Sequence, residues 1–490
     1  MHNQFYQLLL QHFGFKPTQK QQKVLGALTD FVFHQQKRSL FVLKGYAGTG
    51  KTSIIGALVK TLPQFNLESV LLAPTGRAAK VLSNYSQKPA FTIHKMIYQL
   101  KSGGDGYTRF SIKQNKFQNT IFLVDEASMI SDVGSLVNNS WENQKGLLDD
   151  LLEYVYSGIN CKLIFIGDTA QLPPVGVEES PALDEDLLHK NYYLYPEFYE
   201  LDEVVRQAQD SEILSLATFI RAKINTKKVE LPMFPEIVDT TDVQLITGLE
   251  LEDELSDAYS KFGDENVMVV CRSNKRANLF NLQIRARIKW LEEEIAAGDY
   301  MMVVKNNYFW LDSLPPAPSE GGGDFSKVGF IANGDIIEIL KIRGFEEKHG
   351  FRFANITIRM VDYPNEPDLE IKILMDSILS DAPSLSSGKF RELYDAISQE
   401  YGYEPNRKKR NELIRKDAYY QALQVKFAYA ITCHKSQGGQ WDAVFVEQGY
   451  LTEEMINVEY LRWLYTAITR AKKQLFLVNF NPAFFEGEKT

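Results

Sequence analysis

Short apolar runs alternate with helical stretches along the first part of the chain. Between residues 39 and 168 these runs are Ser39–Lys44, Ser69–Ala73, Thr120–Val124 and Lys162–Ile166. Ahead of the last run, leucine and valine recur at helical spacing within Gly146–Tyr156. Short buried strands joined by helices predict a parallel sheet with crossover helices. The first fold unit is therefore expected to be an α/β module.

A second series of the same kind follows, so a second α/β module is expected. Its runs are Val267–Cys271, Lys426–Ile431, Ala443–Glu447 and Leu475–Val478. We divide the chain into a first module at 1–210, a second module at 211–299 and 421–490, and an insert at 300–420 that interrupts the second.

The insert is expected to be rich in β-structure, with a barrel as one candidate fold. Its apolar runs are Met301–Val304, Gly334–Ile342, Ala354–Met360 and Leu369–Leu374, separated by turn-forming residues. Residues 388–424 then follow a polar helical pattern. The basic cluster Arg407–Arg410 lies there and is typical of a solvated face.

A smaller insertion occupies about residues 99–119 of the first module. Glycine turns and the aromatic residues Tyr107, Phe110 and Phe117 alternate there. A projecting hairpin and an ordinary surface loop both fit this pattern.

Composition excludes several classes of protein. A chain of 490 residues with 44% hydrophobic and 24% charged content is typical of a soluble protein with two to four domains. No apolar stretch is long enough to span a membrane, and the N-terminus has no secretory pattern. The separated cysteines Cys161, Cys271 and Cys433 favour reduced core residues in the cytoplasm. A net charge of −9 still permits a basic groove for nucleic acid.

The segment from Gly45 to Thr52 carries the clearest chemistry. It fits G-x-x-x-x-G-K-[ST], between an apolar strand and a helical pattern. Backbone N–H groups of such a loop surround phosphate oxygens, Lys51 reaches the β- and γ-phosphates, and the Thr52 hydroxyl is a ligand for Mg²⁺. The sequence therefore predicts an ATP site, with these contact residues: Gly45, Ala47, Gly48, Thr49, Gly50, Lys51, Thr52 and Ser53.

Two further strand ends supply groups for hydrolysis. The strand Ile121–Val124 ends in Asp125 and Glu126, which predicts a Mg²⁺ ligand and a group that orients or deprotonates the attacking water. The next strand ends in Gly-Asp, followed by Gln171 and two prolines. Gln171 is a candidate γ-phosphate sensor at the sheet edge where ligands bind; a plain proline-fixed turn is the alternative.

These segments belong to an ordered series that extends over nearly the whole chain. The series consists of Pro17–Gln21, Gly45–Thr52, Leu72–Ala79, Thr92–His94, Ile121–Glu126, Ile164–Pro174, Leu201–Gln207, Thr432–Gly438 and Tyr465–Arg470. In order and content it resembles the superfamily 1 helicases of the RecD-like and Dda-like branch, superfamily 1B. The resemblance implies two RecA-like motor domains with ATP between them, an SH3-like insert and a strand-splitting pin.

The resemblance also implies roles for individual residues. Gln21 matches the adenine-recognising glutamine, and Arg206 and Arg470 match arginines that reach the γ-phosphate. Gly438 and Gln440 fall in the motif that couples ATP to DNA. The residues implied in contact with DNA are Pro74, Thr75, Arg77, Thr92, His94, Thr432, His434 and Lys435.

One position departs from the pattern of the family. Many relatives have a glutamate where this chain has Gln440, close to the nucleotide ribose. An amide still hydrogen-bonds a hydroxyl group but without charge assistance. The departure affects nucleotide affinity and base preference more than hydrolysis.

The resulting expectation is a DNA helicase that uses ATP and Mg²⁺, works as a monomer and binds single-stranded DNA and single-strand/double-strand junctions. The resemblance implies movement from 5′ to 3′. The branch of opposite polarity usually carries large inserted domains in both motors, whereas the first insertion of this chain is short. An ATP-gated nucleic-acid clamp or regulatory switch is the alternative. A small-molecule kinase would leave the second motor-like module unexplained.

Overall fold

The computed structural model describes residues 1–36, 38–102, 108–132, 146–205, 211–226, 233–234, 242–307, 309–312, 331–363 and 367–485. The strands are β1 Leu40–Gly45, β2 Glu68–Ala73, β3 Ala90–Thr92, β4 Tyr98–Ser102, β5 Thr108–Ile112, β6 Thr120–Val124, β7 Lys162–Gly167, β8 Glu197–Leu201, β9 Val243–Ile246, β10 Val267–Cys271, β11 Tyr300–Val303, β12 Ile336–Lys348, β13 Phe351–Met360, β14 Leu369–Leu374, β15 Leu423–Phe427, β16 Ala430–Thr432, β17 Trp441–Glu447 and β18 Ala471–Val478. The α-helices are α1 His2–Phe13, α2 Gln19–Phe33, α3 Lys51–Thr61, α4 Gly76–Ser86, α5 Ile93–Ile97, α6 Leu147–Ser157, α7 Glu185–Tyr192, α8 Glu212–Thr226, α9 Leu251–Phe262, α10 Asn274–Gln283, α11 Phe309–Asp312, α12 Ser387–Glu400, α13 Arg407–Lys416, α14 Cys433–Ser436 and α15 Val458–Ile468.

The first module is built on a six-stranded parallel sheet. Its strand order is β3-β2-β6-β7-β1-β8. Phe41 and Leu43 of β1 pack beneath α1, α2 and α3, whereas Leu40 and Val42 pack on the opposite face with α5 and α6. Because helices cover both faces, the central strands bury apolar side chains on both sides, which is the pattern of continuous apolar runs seen in the sequence.

The second module contains a five-stranded parallel sheet in the order β16-β10-β17-β18-β9. Helices α8 and α15 cover one face, and α9 and α10 cover the other. The two predicted α/β modules are confirmed as two RecA-like units.

The insert is a closed barrel formed by β11 to β15, which confirms the predicted β-rich module. Its last strand, Leu423–Phe427, lies beyond residue 420, so the barrel extends into the segment that we assigned to the second motor. The apolar run Lys426–Ile431 is divided between the barrel and strand β16 of the second sheet. Helices α12 and α13 pack against one end of the barrel through Leu393, Ile397 and Ile414.

The short insertion in the first module contains an antiparallel hairpin. Strands β4 and β5 pair from Tyr98 opposite Ile112 to Ser102 opposite Thr108. The hairpin interpretation is therefore confirmed over that of an ordinary loop. In the described residues, no helix has the length and apolarity needed to cross a membrane, and all three cysteines are buried and unpaired.

Candidate nucleotide site and nucleic-acid interface

The phosphate loop joins β1 to α3. Gly50 precedes α3 with φ of 85°, a backbone conformation that residues with a Cβ rarely adopt. The Lys51 ammonium group donates hydrogen bonds to the carbonyl oxygens of Gly45, at 2.6 Å, and Tyr46, at 2.9 Å. Lys51 and Thr52 are half-buried and Ser53 is exposed. The loop therefore presents a cation and the N-terminus of a helix to the same space.

The acidic pair lies two strands away in the same sheet, directly after β6. The Asp125 carboxylate accepts a hydrogen bond from the Glu126 N–H at 2.9 Å, and Glu126 has a left-handed φ of 51°. Burial raises the pKa of Asp125, while the hydrogen bond from Glu126 and the Lys51 charge oppose that rise. Burial also raises the pKa of Glu126 to about 7, against the opposing effect of the Arg470 guanidinium group. A carboxyl group poised near neutrality suits a general base.

The loop after β7 adds a third set of polar groups. The Asp168 carboxylate accepts hydrogen bonds from the Ala170 N–H at 2.9 Å and from the Tyr465 hydroxyl at 2.7 Å. Gln171 is 7% exposed, and its buried side-chain oxygen has no hydrogen-bond partner in the described part of the chain. This buried oxygen accepts hydrogen bonds and is therefore suited to a water molecule, which can donate one.

Arg470 approaches from the second module. Its guanidinium group donates to the carbonyl oxygens of Thr466 at 2.9 Å and Gly439 at 3.2 Å, and to the Thr469 hydroxyl at 3.1 Å. These bonds fix the cation within its own module, while its charge acts on Glu126 of the first module. The Arg470 guanidinium group and the Glu126 carboxyl group therefore lie on opposite sides of the cleft between the two modules.

The described residues also fit a magnesium ion that is held jointly with phosphates. No cluster of three or more His, Cys, Asp or Glu residues suited to a metal is found in the described ranges. Mg²⁺ in nucleotide sites takes only one or two protein carboxylates and completes its shell with phosphate and water oxygens. The Thr52 hydroxyl and the Asp125 carboxylate match that limited donor set.

The predicted DNA residues of the first module lie at the carboxyl ends of neighbouring strands β2 and β3, where Ala73 pairs with Thr92. The hydroxyl of Thr75 caps α4 by accepting from the Ala78 N–H at 3.2 Å, and Thr92 caps α5 in the same manner through Lys95. Burial lowers the pKa of His94 to about 4, so that this imidazole is neutral near pH 7.

The matching segment of the second module is α14 with its flanking residues. Thr432 and Lys435 are half-buried and His434 is exposed. Burial lowers the pKa of Lys435 to about 8. The two predicted DNA-binding segments approach each other through Gly438, where an added Cβ would lie 2.6 Å from the Ala78 Cβ.

Comparisons with known proteins match two parts of the chain. Residues 18–231 match the family described as an AAA domain, and residues 427–478 match the UvrD-like helicase C-terminal domain. The ATP-dependent DNA helicase dda of Enterobacteria phage T4 is 26% identical over 463 residues, covering 91% of this chain and 95% of that protein. These matches are consistent with helicase superfamily 1B.

Two other comparisons also found helicases. The ATP-dependent RecD2 DNA helicase of Deinococcus radiodurans is 32% identical over 136 residues, which are 28% of this chain and 16% of that protein. A crystal structure of the Pif1 helicase from Bacteroides in complex with ADP-AlF3 and ssDNA aligns with 97% of this chain and 95% of that chain, at 15% identity and a TM-score of 0.46.

Some of the predicted site residues make other contacts in the structure. Gln21 donates to the Thr49 carbonyl oxygen at 3.0 Å and caps α2 through the Thr18 N–H at 3.0 Å, so its amide holds the phosphate loop. Adenine recognition by Gln21 stays a prediction. Gln440 is half-buried, and its ribose contact also stays a prediction. Arg206 lies outside the described residues.

Sequence reasoning missed residues of the helicase that link its modules. Hydrogen bonds across the cleft join Tyr465 to Asp168, and Thr466 and Gln437 to the backbone of Leu172. Asp168 was visible as the polar end of an apolar strand, and Tyr465 lies in the segment that carries Arg470. Neither position revealed a partner in the other module.

The barrel makes a second unpredicted contact, with the predicted DNA-binding segment of the first module. The buried Asp362 carboxylate of the barrel lies 3.6 Å from the Lys80 ammonium group and 4.0 Å from the Arg77 guanidinium group. Lys80 also donates to the Val361 carbonyl oxygen at 2.9 Å. The Arg77 guanidinium group stacks over the Trp441 ring at 4.4 Å. Helix α4 thus contacts both the barrel and the second motor.

Proposed function

We propose that this chain is an ATP-driven motor that moves along single-stranded DNA from 5′ to 3′ and separates the strands at a junction. The observation that carries the proposal is the division of the hydrolytic groups between two modules. Lys51, Asp125, Glu126 and Gln171 come from the first module, and Arg470 comes from the second. Such a site becomes complete only when the modules approach each other.

Each group has a distinct task in this account. The loop from Gly45 to Thr52 binds the phosphates, and Lys51 neutralises their charge. Thr52 and Asp125 hold the magnesium ion, which offsets negative charge on the phosphates. Glu126 accepts the proton of the attacking water, and Gln171 orients that water or the γ-phosphate.

Two arginines are proposed to complete the site, and Arg470 comes from the second module. Negative charge that develops on the transferred phosphoryl group is stabilised by cations fixed in advance. Arg470 is held by three hydrogen bonds within its own module, so it reorganises little. We assign the same task to Arg206.

DNA would lie across both modules, over the strand ends that carry the predicted contact residues. Non-specific binding of a single strand relies on phosphate contacts and aromatic stacking. Contact between α4 and Gly438 supports a continuous path between the modules. Closure on ATP and opening after hydrolysis would alternate the grip on the strand.

Strand separation on fluorescent forked duplexes tests polarity. Duplexes carry a single 5′ or 3′ single-stranded overhang, and Glu126→Gln is the matched control for hydrolysis. We expect ATP-dependent unwinding of the 5′-tailed duplex alone. Unwinding of the 3′-tailed duplex would refute the direction. DNA binding and ATP hydrolysis without unwinding of either duplex would favour the ATP-gated clamp.

A further inference from the structure

One tyrosine hydroxyl of the second motor connects two separate segments of the first. Tyr465 lies in α15, and its hydroxyl donates to the Asp168 carboxylate at 2.7 Å. The same oxygen accepts a hydrogen bond from the Ala47 N–H of the phosphate loop at 3.0 Å. Tyr465 and Asp168 are each 1% exposed. The hydroxyl is therefore used fully, as donor and acceptor, away from water.

Adjacent contacts hold the Asp168 loop against the second motor. The Leu172 N–H donates to the Thr466 hydroxyl at 2.9 Å, and the Gln437 amide donates to the Leu172 carbonyl oxygen at 2.7 Å. Gln171 lies between Asp168 and these bonds. The position of Gln171 therefore depends on the second motor as well as on its own sheet.

The phosphate loop is also packed against the second motor. The Tyr46 ring belongs to the core formed with α8 and α15, and the Arg221 guanidinium group lies 4.3 Å from the ring centroid. The Asn225 amide donates to the Tyr46 hydroxyl at 3.3 Å. Displacement of the phosphate loop would therefore disturb its packing against both α8 and α15.

We propose that Tyr465 is a positioning residue that transmits displacement of the phosphate loop to Gln171 and Arg470. Ala47 and Asp168 both hydrogen-bond to its hydroxyl oxygen. Helix α15 ends two residues before Arg470, so a shift of Tyr465 moves the arginine with it. The inference rests on the proposed hydrolysis at the cleft.

Tyr465→Phe tests the link because it keeps the buried ring and removes both hydrogen bonds. One of these bonds involves the Asp168 carboxylate. Loss of a hydrogen bond to a charged group typically changes an equilibrium or rate constant by about tenfold or more. We expect DNA-stimulated kcat to fall at least about tenfold, while the Kd of a fluorescent ADP changes less than about threefold. Tyr460→Phe is the control: it lies on the same helix, is 3% exposed and stacks on Trp463.

A double-variant cycle with Asp168→Asn identifies the route. If Tyr465 acts through Asp168, the double variant is no slower than the slower single variant. Fold losses that multiply would overturn the link, and so would a Tyr465→Phe protein that DNA stimulates as strongly as the wild type. If DNA does not stimulate the wild type, the motor proposal fails instead.

Hydrogen exchange of the unmodified protein provides a test that does not depend on folding of the variants. We expect ADP binding to change exchange in peptides of Val458–Ile468 as well as in the phosphate loop. A change confined to the phosphate loop would overturn transmission through α15.

Discussion

The Asp362 carboxylate neutralises two cations of α4 that lie beside the predicted DNA contacts. Asp362→Asn removes one negative charge and retains the shape of the side chain. Arg77 and Lys80, whose side chains are 17% and 33% exposed, would then be available to DNA phosphates. We expect tighter binding of single-stranded DNA and a steeper salt dependence.

The size of this effect follows from counterion release. Each phosphate neutralised on a single strand contributes about −0.7 to the slope of log K against log salt. Two freed cations therefore steepen the slope by up to about 1.4. Between 200 and 50 mM salt, the affinity ratio of variant to wild type would grow about sevenfold.

The fold itself should tolerate this substitution. Burial and the neighbouring Asp362 charge raise the pKa of Asp335 well above its usual range. Removal of Asp362 relieves this repulsion and offsets the lost ion pairs.

Fluorescence anisotropy of a labelled oligonucleotide at several salt concentrations measures the slope. Asp368→Asn is the matched control, because it removes the same charge from the same barrel at a half-exposed pair with Arg359. An unchanged slope for Asp362→Asn, or equal changes in both variants, would refute the reasoning.

Three further perturbations test other parts of the account. Because the pKa of Glu126 is raised to about 7, kcat/KM for ATP should be level above pH 7 and fall about tenfold per pH unit below it; a level profile down to pH 5 would contradict its role as base. Arg285→Met breaks a buried two-point ion pair with Asp299 at 2.8 and 3.0 Å and should cost about 3–5 kcal/mol in urea unfolding, whereas Arg287→Met, at an exposed pair, should cost about 0–1 kcal/mol. Gly438→Ala places a Cβ against α4 at a φ of 72° and should reduce DNA-stimulated hydrolysis; an unchanged rate would show that this close approach is unnecessary.

Much of the nucleotide site could be predicted because its chemistry is local in the sequence. The phosphate loop requires glycines and a lysine at fixed spacing, and the acids directly follow an apolar strand. Parallel strands place their carboxyl ends on one edge, so Lys51, Asp125 and Gln171 were expected together. Arg470 was predicted only from the resemblance. It is so far along the chain from the phosphate loop that spacing alone did not indicate that the two lie close together.

Contacts between modules could not be predicted from the sequence in the same way. Tyr465 reads as one more apolar residue of a buried helix, and only the packing of α15 on the phosphate loop brings its hydroxyl to Asp168. The run Lys426–Ile431 illustrates a similar limit. Apolar periodicity marks a buried strand but does not tell which sheet it joins, and here a break at Ala428 and Tyr429 divides the run between two.

Hydrolysis by Arg470→Lys in the presence of saturating single-stranded DNA tests the central claim most directly. Lysine keeps the charge but loses the planar guanidinium geometry and its three fixed hydrogen bonds. If the second motor completes the site of the first, DNA-stimulated kcat falls at least about 10²-fold while ADP affinity is nearly retained. A rate within about twofold of the wild type would contradict a site divided across the cleft.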